Sequence, residues 1–159
     1  DIYAIIFCRT RRETQEVADN LIKDGYNADA LHGDLSQAQR DSVMGKFRKK
    51  TIQILVATDV AARGLDVTEL THVINHKLPD QIENYTHRSG RTGRAGNKGI
   101  SIVLVNNKEK GKLRPIERII KKKFVEGKVP SGKEIVQNQL MNLIDKVQKT
   151  EVNASEINE

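Results

Sequence analysis

The sequence is poor in aromatic residues and in cysteine. Its 159 residues include three Tyr, three Phe, no Trp and one Cys. A single Cys excludes an internal disulfide framework, and without a CxxC pair a structural zinc site is not expected. So few aromatic side chains disfavour a platform on which nucleic-acid bases stack. Any contact with nucleic acid is therefore expected to fall mainly on phosphate and sugar.

Long hydrophobic runs are also missing. The longest apolar runs, such as residues 3–8 and 100–105, fall far short of the ~20 residues that a membrane span needs. No signal peptide is evident. We therefore expect no membrane partner, and the lone Cys favours a reducing, cytoplasmic location.

Positive charge is abundant but unevenly spread. The net charge is +6, with 15 basic and 13 acidic residues in 1–106, 10 and 3 in 107–133, and 2 and 5 in 134–159. A basic balance indicates a polyanionic partner. The alternative for the 107–133 segment is a lysine-rich helix whose charged face is simply solvated.

Short apolar runs alternate with amphipathic segments over the first hundred residues. Runs rich in Ile and Val, separated by helical patterns, predict a parallel α/β sheet with helices on its faces. Ligands of such sheets collect at the carboxyl ends of the strands. The predicted strands are residues 3–8, 28–31, 52–57, 72–76 and 99–105.

Capping residues predict where the helices begin. Thr10 with Glu13, and Ser36 with Gln39, have the spacing of capping boxes. Asp80 is predicted to cap a further short helix.

The pattern changes after residue 106. One apolar helical face runs from Leu113 to Phe124, and another from Ile135 to Val147. A Pro/Gly turn at 127–132 separates the two helices. Residues 150–159 have little periodicity and are expected to fray.

The densest polar constellation is the segment 85–96. Arg88, Arg91 and Arg94 recur every three residues, with a glycine two residues after each of them. The guanidinium fork matches phosphate geometry, and glycines let an anion approach the backbone. The alternative is a solvated arginine loop.

A second constellation spans residues 57–66. Thr58 and Asp59 follow a buried strand, where a helix N-terminus would expose its amides to phosphate. Asp66 is placed to accept hydrogen bonds from a ribose. The alternative is that Thr58 or Asp59 only caps a turn and that Asp66 only begins a loop.

The third constellation spans residues 31–40. Gly33 offers an unobstructed backbone, and Gln37 and Arg40 are neighbours on one helix face. The capping box explains Ser36 and Gln39 but leaves Arg40 without a structural reason.

Three other signals do not predict sites. Residues 127–134 nearly match a phosphate-binding P-loop but end in Glu134 instead of Ser or Thr. His72 and His76 fall in one predicted strand at a spacing of ~13 Å, too far apart to bind one metal ion together. Cys8 ends a buried strand and is expected in the core. No metal ligand set is predicted.

Together with the opening segment 4–10, these three constellations resemble the second RecA-like domain of a DEAD-box RNA helicase. The resemblance covers roughly residues 1–125 and rests on the ARGLD and HRSGRTGRAG strings. It implies a RecA-like three-layer sandwich with a mostly parallel central sheet, followed by a helical extension and tail over residues 126–159. The segment 114–145 also resembles segments that follow this domain in bacterial members. Ser89 stands where many members have Ile, which should alter only local packing.

The resemblance also implies roles for individual residues. Arg91 and Arg94 resemble arginine fingers that reach the γ-phosphate of ATP. His87 and Arg88 match catalytic-motif residues at the interface with a partner domain, and Asp66 matches the residue that contacts the ATP ribose. Positions that grip the RNA sugar–phosphate backbone are matched by Thr10, Gly33, Gln37, Arg40, Thr58 and Arg63.

The family's ATP and Mg²⁺ are expected to be held mainly by an N-terminal RecA-like domain outside this sequence. The sequence has no P-loop followed by Ser or Thr and no DEAD tetrapeptide. We therefore expect no tightly bound cofactor here and no ATP hydrolysis by this chain alone. The expected partners are RNA, that N-terminal domain, and a protein or RNA at the basic 107–133 segment. The alternatives are a stand-alone, non-catalytic nucleic-acid-binding or regulatory module, and half of a related DNA helicase.

Overall fold

A computed structural model describes residues 2–67, 70–93 and 98–149. The chain divides into two compact units, Asp1–Lys123 and Phe124–Glu159, and each is described by itself. The exact limits predicted for the first domain, residues 1–125, stay a prediction.

The first unit is built on a five-stranded sheet. Its order is β2-β3-β1-β4-β5, and neighbouring strands are parallel. The predicted parallel α/β sheet is therefore confirmed, with strand ends shifted by at most two residues. The strands are β1 (Ala4–Cys8), β2 (Ala28–Leu31), β3 (Ile54–Thr58), β4 (His72–Asn75) and β5 (Ile100–Val103).

Helices cover both faces of the sheet. Side chains alternate between faces along each strand, so Ile6 of β1 packs with Ala18 while Ile5 packs with Phe47. These two contacts place α1 and α2 on opposite faces and give three layers. The helices are α1 (Arg11–Lys23), α2 (Gln37–Arg48), α3 (Ile82–Ser89), α4 (Leu113–Ile120) and α5 (Gly132–Lys149), with a 3₁₀ helix at Asn107–Lys112.

The predicted helix caps are only partly right. The Ser36 hydroxyl accepts from the Gln39 N–H, and the Gln39 side chain accepts from the Ser36 N–H, which confirms that capping box. The Thr10 hydroxyl accepts from the Glu13 N–H as predicted. However, the Glu13 carboxylate accepts from the N–H of Arg9 instead of Thr10. The reciprocal half of that box is thus displaced by one residue.

The predicted cap of α3 is wrong. The helix begins after Gln81, and the carboxylate of Asp80 instead pairs with the guanidinium of Arg9. This ion pair draws the carboxylate towards the loop after β1, and so away from the first turn of α3.

The helices after β5 differ in length from the prediction. Helix α4 ends at Ile120 because Lys121 adopts a left-handed conformation with φ of 53°, so Phe124 lies beyond it. The second unit contains α5, whose bounds include the predicted face from Ile135. The side chain of Val147 and the predicted frayed tail, 150–159, lie outside the described residues. Among the described helices, none is both long and apolar enough to span a bilayer.

Candidate functional site

Residues from three separate segments meet at the carboxyl edge of the sheet. Four of the six positions expected to grip RNA, namely Thr10, Gly33, Arg40 and Thr58, line one open pocket of about 510 Å³. They lie at the end of β3 or in the segments after β1 and β2, and these three strands are neighbours in the sheet. The carboxyl ends of parallel strands share one edge, and this brings the segments together. The remaining lining residues are Arg9, Arg11, Val60 and Ala61.

Local structure fixes the polar groups of this pocket, which we call the hydroxyl–arginine pocket. Thr10 is the N-cap of α1, and Thr58 ends β3, where its hydroxyl accepts from the N–H of Ala61. Arg40 lies in the first turn of α2. Among the described residues, no carboxylate lies within ion-pair distance of its guanidinium. An arginine without a carboxylate partner is available for an anion.

Gln37 and Arg63 are not part of the pocket lining. The amide of Gln37 donates to the carboxylate of Asp41 one turn further along α2, at 2.9 Å. Arg63 follows β3 and lines a second, smaller pocket. The structure therefore brings four of the six expected RNA positions together and leaves these two apart.

The second pocket brings together residues of the segment 85–96, which we call the arginine motif, with residues of other segments. It has a volume of about 100 Å³ and lies between α3 and the loop after β3. The guanidinium of Arg91 donates to the carbonyl of Leu65 at 2.6 Å, and the next residue in the sequence is the exposed Asp66. This bond ties the arginine motif to the segment that carries the expected ribose contact. Its lining residues are Phe7, Asp59, Ala62, Arg63, Asn84, His87, Arg88 and Arg91.

Arg88 is buried and bonded within the domain. The residue is 1% exposed, and its guanidinium donates to both carboxylate oxygens of Asp59 at 2.6 Å. It also donates to the side chain of Asn75 at 3.0 Å and to the carbonyl of Lys77 at 3.1 Å. The guanidinium lies 5.1 Å from the centre of the Phe7 ring. These contacts are internal to the domain, whereas His87 beside it is exposed, and the expected place of both residues at an interface stays a prediction.

Ser89 has polar neighbours. Its hydroxyl lies 3.0 Å from that of Ser101 on β5, which in turn lies 3.2 Å from the hydroxyl of Tyr85. A chain of three hydroxyls therefore links α3 to the edge strand. The arginine motif continues to Gly93, which has φ of 69°. Arg94 and the last glycine of the motif lie outside the described residues.

Sequence reasoning missed a charged cluster around Glu13. Its carboxylate accepts from the Arg9 N–H at 3.0 Å, and His76 Nδ1 and Lys77 Nζ lie 3.0 and 2.9 Å from Oε1. Burial raises the pKa of Glu13, but the hydrogen bonds from Lys77, the Arg9 backbone and His76 outweigh it and lower the pKa to about 2. Only the order of the strands, with β1 beside β4, brings these residues together, and no local sequence signal marks them.

The same cluster includes Cys8, but it does not suit a metal ion. The ligand atoms of Cys8, Glu13 and His76 lie within 4.8 Å of one another. Burial, and then the negative charge of Glu13, raise the pKa of the Cys8 thiol to about 12. A metal would need the thiolate, and the Lys77 ammonium already neutralises Glu13. We therefore assign no metal here.

The geometry described so far defines a class: a RecA-like α/β domain with an arginine motif and an anion-accessible pocket at its carboxyl edge. A family model described as the helicase conserved C-terminal domain matches residues 3–96. The chain belongs to the DEAD-box RNA helicase family, as a C-terminal RecA-like domain.

Curated relatives are similar over most of this chain. It is 47% identical over 147 residues to the DEAD-box ATP-dependent RNA helicase CshA of Bacillus cereus, covering 92% of this chain and 28% of that protein. It is 49% identical over 144 residues to the CshA of Geobacillus kaustophilus, covering 91% and 31%. The chain thus spans about 30% of the length of these relatives.

Solved structures show the same fold. A DEAD box protein from the hyperthermophile Methanococcus jannaschii is 52% identical with a TM-score of 0.71, covering 77% of this chain and 34% of that one. The E. coli DEAD-box protein SrmB, solved bound to the regulator of ribonuclease activity A, is 34% identical with a TM-score of 0.70, covering 80% and 81%. The expected RecA-like architecture is therefore confirmed.

Proposed function

We propose that this chain is the C-terminal half of an ATP-dependent RNA helicase, in which the hydroxyl–arginine pocket grips the RNA sugar–phosphate backbone. The observation that carries the proposal is the convergence of Thr10, Gly33, Arg40 and Thr58 on one open pocket. Hydroxyls and an arginine without a carboxylate partner contact phosphate and sugar without reading bases. This agrees with the scarcity of aromatic side chains in the sequence.

The arginine motif supplies the second part of the proposal. Arg91 and Arg94 would reach the γ-phosphate of ATP held by an N-terminal domain, and Asp66 would contact the ribose. Phosphoryl transfer is accelerated mainly by positioned positive charge, and an arginine finger is worth ~10³–10⁵ in rate. The bond from Arg91 to the Leu65 carbonyl ties that side chain to the segment that carries Asp66 and supports this assignment.

ATP and Mg²⁺ would be held mainly by the N-terminal domain. The guanidinium and carboxylate groups of this chain fit phosphate and ribose respectively, and Mg²⁺ would neutralise phosphate charge when bound. Because the finger and the nucleotide lie on different domains, hydrolysis would depend on domain closure. RNA held by both domains favours closure, which couples the two ligands and opens short duplexes.

Arg88 and His87 take different roles in this proposal. Arg88 is a positioning residue, because its buried guanidinium joins α3 to Asp59 in the loop after β3. The exposed imidazole of His87 lies in the lining of the second pocket and is free to face the N-terminal domain.

The test uses the full-length protein that contains this chain. We expect RNA-stimulated ATP hydrolysis and duplex unwinding, and we expect Arg94→Ala to abolish unwinding while RNA affinity is largely retained. Arg48→Ala, at the exposed end of α2, is the control and should leave both activities unchanged. Unchanged unwinding by Arg94→Ala would count against the finger assignment. ATP hydrolysis by residues 1–159 alone would contradict the division of labour.

The basic segment after β5 is proposed as a further RNA contact. Exposed cations on and after α4 surround a shallow pocket of about 530 Å³, together with Glu117. Lysine is depleted at protein–protein interfaces, so an RNA backbone fits this surface better than a protein. These cations are Arg114, Arg118, Lys121, Lys122 and Lys123.

Salt dependence tests this contact. If the surface binds phosphates, replacing Lys121, Lys122 and Lys123 together by Gln should weaken binding to every RNA and flatten its dependence on salt. RNA binding that is unaltered in strength and salt slope would exclude this contact and leave a protein partner.

Two alternatives to the proposed function are distinguished by ATPase activity and by nucleic-acid preference. A stand-alone binding module would bind RNA without any ATPase in the full-length protein, and half of a DNA helicase would prefer DNA at matched length and salt.

We also propose a cytoplasmic location, in keeping with the free, buried thiol of Cys8.

A further inference from the structure

We propose that Glu13 and Lys77 are positioning residues that couple RNA binding at the hydroxyl–arginine pocket to the arginine motif. The inference rests on the proposed function, because it concerns how the RNA site and the ATP site of that function influence each other. Neither side chain would touch RNA or nucleotide in this proposal.

One half of the connection starts at the hydroxyl–arginine pocket. Thr10, which lines the pocket, caps α1 by accepting from the Glu13 N–H. The Glu13 carboxylate in turn accepts from the N–H of Arg9, a second lining residue. Glu13 therefore fixes the loop between β1 and α1 on both sides of Thr10, and phosphate binding at Thr10 acts directly on its position.

The other half ends at the arginine motif. The ammonium of Lys77 lies 2.9 Å from Glu13 Oε1, while the carbonyl of the same residue accepts from Arg88 at 3.1 Å. Arg88 in turn donates to the carboxylate of Asp59. Asp59 is the residue after Thr58, which lines the hydroxyl–arginine pocket. The contacts thus form a closed ring from the pocket through Glu13, Lys77 and Arg88 back to the pocket.

The charge and burial of Glu13 make this contact specific. Its side chain is only 13% exposed, whereas that of Lys77 is 52% exposed. A carboxylate buried to that degree needs its partners, because an unpaired charge is costly to bury. Helix α1 and the loop after β4 are far apart in sequence, and the ion pair adds a direct link between them beyond the pairing of β1 with β4.

The test measures RNA stimulation of ATP hydrolysis in the full-length protein. We expect Glu13→Gln and Lys77→Met each to lower the maximal RNA-stimulated rate by about tenfold, the size of a typical coupling between sites. The RNA concentration at half-maximal rate should stay within about twofold of the unsubstituted protein. A general loss of structure would not lower the maximal rate while leaving the RNA concentration at half-maximal rate unchanged. Glu16→Gln is the matched control, since Glu16 pairs with Arg12 on the exposed face of the same helix.

A double-mutant cycle decides whether the two residues act through each other. If they do, the double variant should lose no more than about the same tenfold, because the second change removes nothing further. Losses that multiply in the double variant would overturn the proposal, as would single variants that match Glu16→Gln. If Glu13→Gln fails to fold, the exposed Lys77→Met carries the test. If the unsubstituted protein shows no RNA-stimulated hydrolysis, the proposed function itself fails.

Discussion

Arg88 and Asp59 form a two-point ion pair, in which Nε and Nη2 of the arginine each donate to a different carboxylate oxygen at 2.6 Å. The pair joins α3, which carries the first arginine of the motif, to the loop after β3. Only the planar guanidinium can make both bonds while a further nitrogen reaches Asn75 and the Lys77 carbonyl. The first arginine of the motif therefore holds the motif in place.

We predict that Arg88→Lys destabilises the domain by about 3 kcal/mol, because an ammonium leaves the buried side-chain oxygen of Asn75 without a donor and loses the two-point pair with Asp59. Urea unfolding followed by circular dichroism measures this change. Arg63→Lys is the control, since Arg63 is exposed and should change the free energy of unfolding by less than ~0.5 kcal/mol. Equal stability of the two variants would contradict the positioning role.

Glu13 makes stability dependent on pH in the acidic range. Its pKa in the folded chain is about 2, below the ordinary value of 4.5. Its contribution is therefore fully present above the ordinary value and is lost as pH falls from about 5 to about 2. Because the partners Lys77 and His76 are themselves partly exposed to water, we expect about 1 kcal/mol. Unfolding of Glu13→Gln and of the unsubstituted chain should differ by this amount at neutral pH and converge near pH 2, and a constant difference would refute the assignment.

The thiol of Cys8 is predicted to be unreactive while the domain is folded. Burial raises its pKa from 9.0 to about 12, which lowers the thiolate fraction at neutral pH by about a thousandfold. A thiol reagent followed by absorbance should label the native chain much more slowly than the chain in denaturant. Labelling at equal rates would show that the strand end opens readily.

Arg40 is predicted to contribute one phosphate contact. Arg40→Ala should weaken RNA binding about equally for unrelated sequences and reduce the slope of log affinity against log salt by about one. Fluorescence anisotropy over a salt series measures both quantities. Arg48→Ala lies on the same helix and should leave the slope unchanged. A loss that depends on RNA sequence would point to base recognition instead.

Local sequence patterns predicted the elements better than the contacts between them. Four of the five strands are Ile- and Val-containing runs, so their positions were predictable, whereas β2 reads Ala-Asp-Ala-Leu. Strands β1 and β3 are buried along their whole length, but the edge strand β5 is partly exposed on both faces. The Asp80 cap was wrong because Arg9, 71 residues away in sequence, competes for the carboxylate. Local spacing cannot show such a competitor.

The candidate site divides in the same way. Thr10, Gly33, Arg40 and Thr58 were predictable because they lie at a strand end or in the segment after one, and parallel strands end at one edge. The inward orientation of Arg88 was not, because its partners Asp59, Asn75 and Lys77 become neighbours only in the folded sheet. The Glu13 cluster was missed for the same reason.

The sheet order has a consequence for synthesis on the ribosome. Strand β1 lies between β3 and β4, so its first sheet neighbour is complete only when Thr58 has emerged and its second only when Asn75 has emerged. The fully buried strand Ala4–Cys8 is therefore an unpaired apolar segment until Thr58 has emerged, and it stays open on one side until Asn75 has emerged. Nascent chains with such segments are prone to aggregate. A chaperone that binds extended apolar peptides would have its longest opportunity at this strand.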